Sequence, residues 1–113
     1  MSTVKQAEVT PEKFAPGRTR YLAHSDHLMV VVFDFEGGPS AQPDPPHQHP
    51  HEQITYVASG EVIFFVDGVP HRVGPGDLIT VPGSVPHSIQ LLTERVRLVD
   101  SFTPIREEFL KKA

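Results

Sequence analysis

The chain has 113 residues, 38% of them hydrophobic, which is enough for one domain around a single core. A net charge of −4 with acids and bases interspersed argues against a nucleic-acid partner, and the lack of cysteine removes disulfide and thiol chemistry. The first ten residues carry no apolar signal core, and the longest apolar run, residues 28–33, is too short to span a bilayer, so a cytoplasmic protein with no membrane partner is expected.

Residues 1–17 read as an N-terminal arm, because polar residues with Pro11, Pro16 and Gly17 oppose a long element there. Residues 18–113 form the domain. Strands are predicted at 18–23 and 28–36, joined by the polar turn at 24–27. Residues 37–46 are a Pro/Gly/Ser-rich loop, excluded from a central strand because proline has no donor for the ladder. Further strands are expected at 54–58 and 61–66 around Ser59–Gly60, then at 71–73 after the tight Asp67–Gly68 hairpin. Residues 74–77 turn the chain into a strand at 78–81, and 82–86 loop into strands at 87–92 and 95–102. Thr103 and Pro104 match the cap and first position of a short C-terminal helix over 106–112. About eight short strands punctuated by 12 prolines and 8 glycines predict an all-β jelly roll.

The most informative stretch is PHQHPHEQITYVASG, residues 46–60. His47, His49, His51 and Gln53 alternate, and a strand sends alternate side chains to one face. His47, His49 and Gln53 can therefore converge, with His87 as the candidate for a further ligand. Neutral imidazoles with an amide oxygen suit one divalent metal ion, and the set does not choose among Zn, Ni, Mn, Fe and Co. His51 is expected at the rim, supporting the ligands, because Pro50 disturbs the strand. Glu52 has the opposite parity, and His24, His27 and His71 sit at turns and are assigned no chemistry.

The last strand repeats the parity test. Val96, Leu98, Asp100 and Phe102 share one face, so Asp100 points inward with core residues. An inward carboxylate needs a partner, and Arg106 and a bound metal are the candidates. Asp100 is read as a proton-transfer group and Arg106 as a grip on a substrate carboxylate. Phe102 is read as an apolar wall against a sugar-like ring.

These motifs resemble the cupin family, whose fold is a double-stranded β-helix barrel. The first cupin motif, Gly-x5-His-x-His, then Glu and a distal Gly, is matched by His47-x-His49-x3-Gln53-x6-Gly60, without the leading Gly. The second motif, Gly-x5-Pro-x-Gly-x2-His-x3-Asn, is matched by Gly76-x5-Pro82, then Gly83, Ser84 and His87, with Leu91 in the Asn place and Ser84 in place of the second motif Gly. Gln53 in the Glu place removes one negative charge, leaving a stronger Lewis acid held less tightly.

More narrowly, HPHEQITYVASGE, GPGDLITVPGSVPH and DSFTPIREEFL resemble the pectin-degradation cupins of the KdgF type. That resemblance implies conversion of 4,5-unsaturated uronate monosaccharides to linear 5-keto-4-deoxyuronate. It implies metal ligands at His47, His49, Gln53 and His87, and acid–base and substrate-contacting roles for Asp100, Phe102 and Arg106. The partner is then a small anionic sugar, from pectin or alginate. The alternatives are a metal-dependent cupin dioxygenase and a non-catalytic sugar- or small-molecule-binding cupin. Open sheet edges and the arm predict a homodimer.

Overall fold

The computed structural model describes residues 3–110. Among these residues, nine strands form two antiparallel sheets that face each other across the core. In chain order they are β1 (Glu12–Ala15), β2 (Arg18–His24), β3 (Met29–Glu36), β4 (Glu52–Ser59), β5 (Val62–Val66), β6 (Val69–Val73), β7 (Leu78–Val81), β8 (His87–Leu91) and β9 (Arg95–Thr103). The larger sheet runs β1-β2-β3-β9-β4-β7, the smaller β6-β5-β8. This is the expected all-β jelly roll.

Alternation builds the core. Phe64 of β5, Val57 of β4, Val81 of β7 and Leu98 of β9 pack in one buried cluster between the sheets. A second cluster of Met29, Val31 and Phe102, with Leu22, Phe33, Ile105 and Phe109 against it, closes one end. The β5–β6 hairpin turns through Asp67 and Gly68, both with left-handed φ (51° and 76°), the conformation a two-residue type I′ turn requires.

The Pro-rich loop lies along the outer edge of β8. Ser40 and Asp44 donate their backbone N–H to Leu91 and Ile89, and His47 exchanges two backbone bonds with His87. Pro39, Pro43, Pro45 and Pro46 interrupt what would be a continuous ladder, so the loop covers the edge without becoming a strand.

Two expectations are corrected at the termini. Residues 12–15, placed within the arm, form β1 and pair with β2, between the breaks at Pro11 and Pro16. The C-terminal helix is only a single 3-10 turn, Glu107–Phe109, and residues 111–113 of its expected span lie outside the described residues. Thr103 caps nothing there. It is the last residue of β9, paired with Glu52, and its Oγ1 donates to the His27 carbonyl at 2.9 Å. Strand pairing outcompeted the local capping signal, and Ile105 and Phe109 drew the following segment onto the barrel end.

Candidate active site

Two chain segments are stitched together to make the site. Ser84 N–H donates to the His49 carbonyl at 2.7 Å, and His47 and His87 form an antiparallel bridge. Gly83 lies so close to the chain that a Cβ there would sit 2.5 Å from the Pro50 carbonyl oxygen. Ser84 has φ of 62°, a left-handed conformation that explains the glycine of the cupin motif at this place. The stitching brings ring nitrogens of His47, His49 and His87 within 4.8 Å of one another, a cluster that can hold a metal ion.

The hydrogen bonds specify which nitrogen is available. A carbonyl only accepts, so the ring nitrogen bonded to it carries the proton, an assignment made from the network. His87 Nδ1 donates to Val85 O (2.9 Å) and His49 Nδ1 to His51 O (3.0 Å). A neutral ring carries one proton, and with it placed on Nδ1 each Nε2 keeps a bare lone pair. That of His87 is buried without a partner among the described residues. That of His49 faces Gln53 Oε1 at 3.0 Å. Against an ionised Asp100 the Gln53 amide keeps this orientation, because its NH₂ donates to Thr55 Oγ1 (2.9 Å) and Asp100 Oδ2 (3.3 Å). Two acceptors face each other, and a second ring nitrogen nearby, His87 Nε2, is orphaned. A cation resolves both conflicts, so the donor set fits a divalent metal.

The electrostatics favour the ligating form. Burial, followed by the neighbouring His87, His49 and Arg106, pushes His47 down to about 4. Burial likewise lowers His49 and His87, so all three imidazoles are neutral at pH 7. Asp100 moves the other way. It sits on β9 between Val31 of β3 and Thr55 of β4, and burial raises it to about 7. The Thr55 hydroxyl, donating to Oδ1 at 2.7 Å, and the charge of Arg106 hold it back from rising further.

Residues 31–102 match the cupin domain family. The chain belongs to this family. It is 32% identical over 94 residues to the pectin degradation protein KdgF of Dickeya dadantii (strain 3937), covering 82% of this chain and 83% of that protein. The structure of KdgF from Halomonas sp. superposes with a TM-score of 0.87 at 30% identity, over 96% of this chain and 98% of that one. An RmlC-like cupin from Shewanella frigidimarina NCIMB 400 gives 0.84 at 31% identity, over 94% and 93% of the two chains.

In this cupin, His47, Gln53, His87, Asp100 and Arg106 line one cavity of about 250 Å³. Other sequence-predicted residues lie elsewhere. Phe102 is fully buried behind the cavity, edge-on to His49 (5.6 Å) and under the Arg106 guanidinium (5.1 Å). The aromatic wall is instead Phe14, Phe33, Phe35, Phe64 and Phe109. His51 supports His49 through its main-chain carbonyl. Asp100 and Arg106 make no direct ion pair. Arg106 bonds Glu108 (3.0 and 3.1 Å), and Asp100 bonds Thr55 and Gln53.

Sequence reasoning missed Thr55, Arg18, Arg20 and Asp44. Thr55 shares the parity of Gln53, and Arg18 and Arg20 share that of Leu22 on β2. The alternation test, applied to those strands as it was to β9, flags Thr55, Arg18 and Arg20, whereas Asp44 lies in the Pro-rich loop, where no strand parity applies.

Proposed function

We propose that this cupin opens the ring of 4,5-unsaturated uronate monosaccharides and delivers the linear 5-keto-4-deoxyuronate. The observation that carries this reading is Asp100. It is a buried carboxyl raised to about 7, linked through Gln53 to the histidine cluster, in a cavity also lined by Arg106. The likeness to the two KdgF proteins supports the same substrate class.

The substrate is an enol ether closed as a hemiacetal. Asp100 takes the proton from the C1 hydroxyl. The C1–O5 bond breaks, giving an aldehyde at C1 and an enolate at C5. Asp100 returns the proton to C4, leaving a ketone at C5. One proton leaves oxygen and one reaches carbon, so the reaction is a net isomerisation. A carboxyl with pKa near 7 is as ready to give as to take at neutral pH. Arg106, held against Phe109 at 4.1 Å, fixes the uronate carboxylate and limits unproductive orientations. His47, His49, His87 and Gln53 would hold a divalent metal, which supplies Lewis-acid stabilisation of negative charge on oxygen.

The test is a proton NMR time course on freshly generated 4,5-unsaturated galacturonate, with metal-loaded wild type beside Asp100→Ala. Wild type is expected to speed loss of the C4 vinyl signal, and the variant to lose 10²-fold or more of that effect, the order of magnitude for a proton-transfer group. Wild type matching the spontaneous rate sinks the reading.

We also propose that the protein works as a homodimer in the cytoplasm. β7 is an open edge of the larger sheet, and Leu78, Ile54 and Tyr56 stand exposed on β7 and its neighbour β4. A second copy covering them protects the edge. Light scattering is expected to give twice the chain mass, and Leu78→Lys with Tyr56→Lys to halve it. A monomeric wild type at tens of micromolar removes the dimer.

A further inference from the structure

Two arginines unused by that chemistry also line the cavity, Arg18 and Arg20. They lie two residues apart on β2, opposite Phe35 and Phe33 of β3, so both face inward. An inward guanidinium is costly unless paired, and each has an acid. The two pairings differ in kind. Arg18 makes the two-oxygen fork with Asp44, Nη1 to Oδ2 at 2.6 Å and Nη2 to Oδ1 at 2.9 Å. That pair is closed, and it ties the Pro-rich loop to β2.

Arg20 instead directs both Nε (3.0 Å) and Nη2 (2.6 Å) at a single oxygen, Oε1 of Glu12. Its Nη1 has no hydrogen-bond partner among the described residues. Glu12 is the more exposed member, 44% against 17% for the Arg20 side chain. The Arg20 guanidinium rests on Phe14 (4.9 Å) and on Phe109 (4.2 Å), the same ring that holds Arg106 at 4.1 Å. Two guanidiniums are thus held against one aromatic ring at the cavity, and both have donors that their local acid does not saturate.

We infer that Arg20 is a second substrate-positioning residue. It donates from its uncommitted edge to the hydroxyl-bearing end of the anionic sugar whose carboxylate Arg106 holds. The inference rests on the uronate reading above. Its rival is that Arg20 merely clamps β1, since Glu12 and Arg20 are direct cross-strand partners.

The rivals separate because Glu12→Gln breaks the same ion pair and leaves the guanidinium in place. Turnover of the unsaturated uronate and calorimetric binding of saturated galacturonate would be measured on metal-loaded Arg20→Gln, Glu12→Gln and Arg106→Gln. Thermal unfolding is expected to change equally in the first two. Arg20→Gln is expected to raise KM and Kd roughly tenfold with kcat within about twofold, the loss of one charge-assisted hydrogen bond. Glu12→Gln is expected to leave both constants within about twofold, as charge-pair loss outside the contact predicts. Equal weakening in those two variants makes Arg20 a clamp and overturns the inference, as does wild-type binding by Arg20→Gln. Undiminished binding by Arg106→Gln overturns the carboxylate reading beneath it.

Discussion

Gln53 and Asp100 are one choice rather than two. A glutamate at position 53, the usual residue of the cupin motif, could not donate to Asp100 Oδ2 or Thr55 Oγ1, as the Gln53 amide does at 3.3 and 2.9 Å. It would also set a second carboxylate against one that burial already disfavours as an anion. The amide solves both problems. Its NH₂ end satisfies Asp100 and Thr55, and this fixes its Oε1 end on the lone pair of His49. The departure from the family pattern is therefore what lets a proton-transfer carboxyl sit beside the histidine cluster. The difference was visible as one letter, but its reason was not. It lies in the β4–β9 register, where Thr55 faces Asp100 and Gln53 faces Phe102.

At the scale of elements, strands were legible where alternation is clean, as over β4 and β9, whose burial alternates along the strand. Convergence of His47, His49 and Gln53 with His87 was legible for the same reason. Legibility failed where long-range pairing decides. β1 is four residues between prolines, stabilised by partners on β2 that no local pattern announces. The Thr103–Pro104 signal was sound helix grammar overruled by pairing with Glu52. The loop at 82–86 shows the dependence of the site on one element. Gly83→Ala would drive a methyl to 2.5 Å from the Pro50 carbonyl, a backbone atom that cannot swing away. Urea unfolding should show a loss of about 1–3 kcal/mol, typical of overpacking. Metal affinity should fall with it, because Pro50 lies between His49 and His51. Gly74→Ala is the control. Its nearest contact would be an ordinary 3.5 Å to a glutamate side chain, and it should be neutral within about 0.5 kcal/mol. Equal effects of the two variants would show that the close approach at Gly83 carries no weight.

At the scale of the whole molecule, the barrel holds three neutral histidines and one protonatable acid, and these respond to pH in opposite directions. His47 is lowered to about 4 from 6.5, and His49 and His87 are lowered too. Below about 6.5, and at His47 down to about 4, the unfolded chain binds more protons at these groups, so their contribution to stability grows with pH. Asp100 is raised from 3.8 to about 7, so its contribution is lost as pH rises through that window. Three groups oppose one. The metal-free protein should therefore unfold at a lower temperature as pH falls from 6.5 towards 4.5. A divalent ion needs the same neutral imidazoles, so its binding and folding are linked. At 100 times its Kd, near pH 7, an ion bound only by the folded state adds about 2.7 kcal/mol. For a domain of this size that is a rise in Tm on the order of 10 °C. Chelation should reverse the gain, and the gain should fade below about pH 4, where protons win His47. Calorimetry of the chelated and reloaded protein at both pH values tests the whole scheme. A Tm indifferent to divalent ions at neutral pH would mean that the facing acceptors and the orphaned His87 nitrogen are not a metal site.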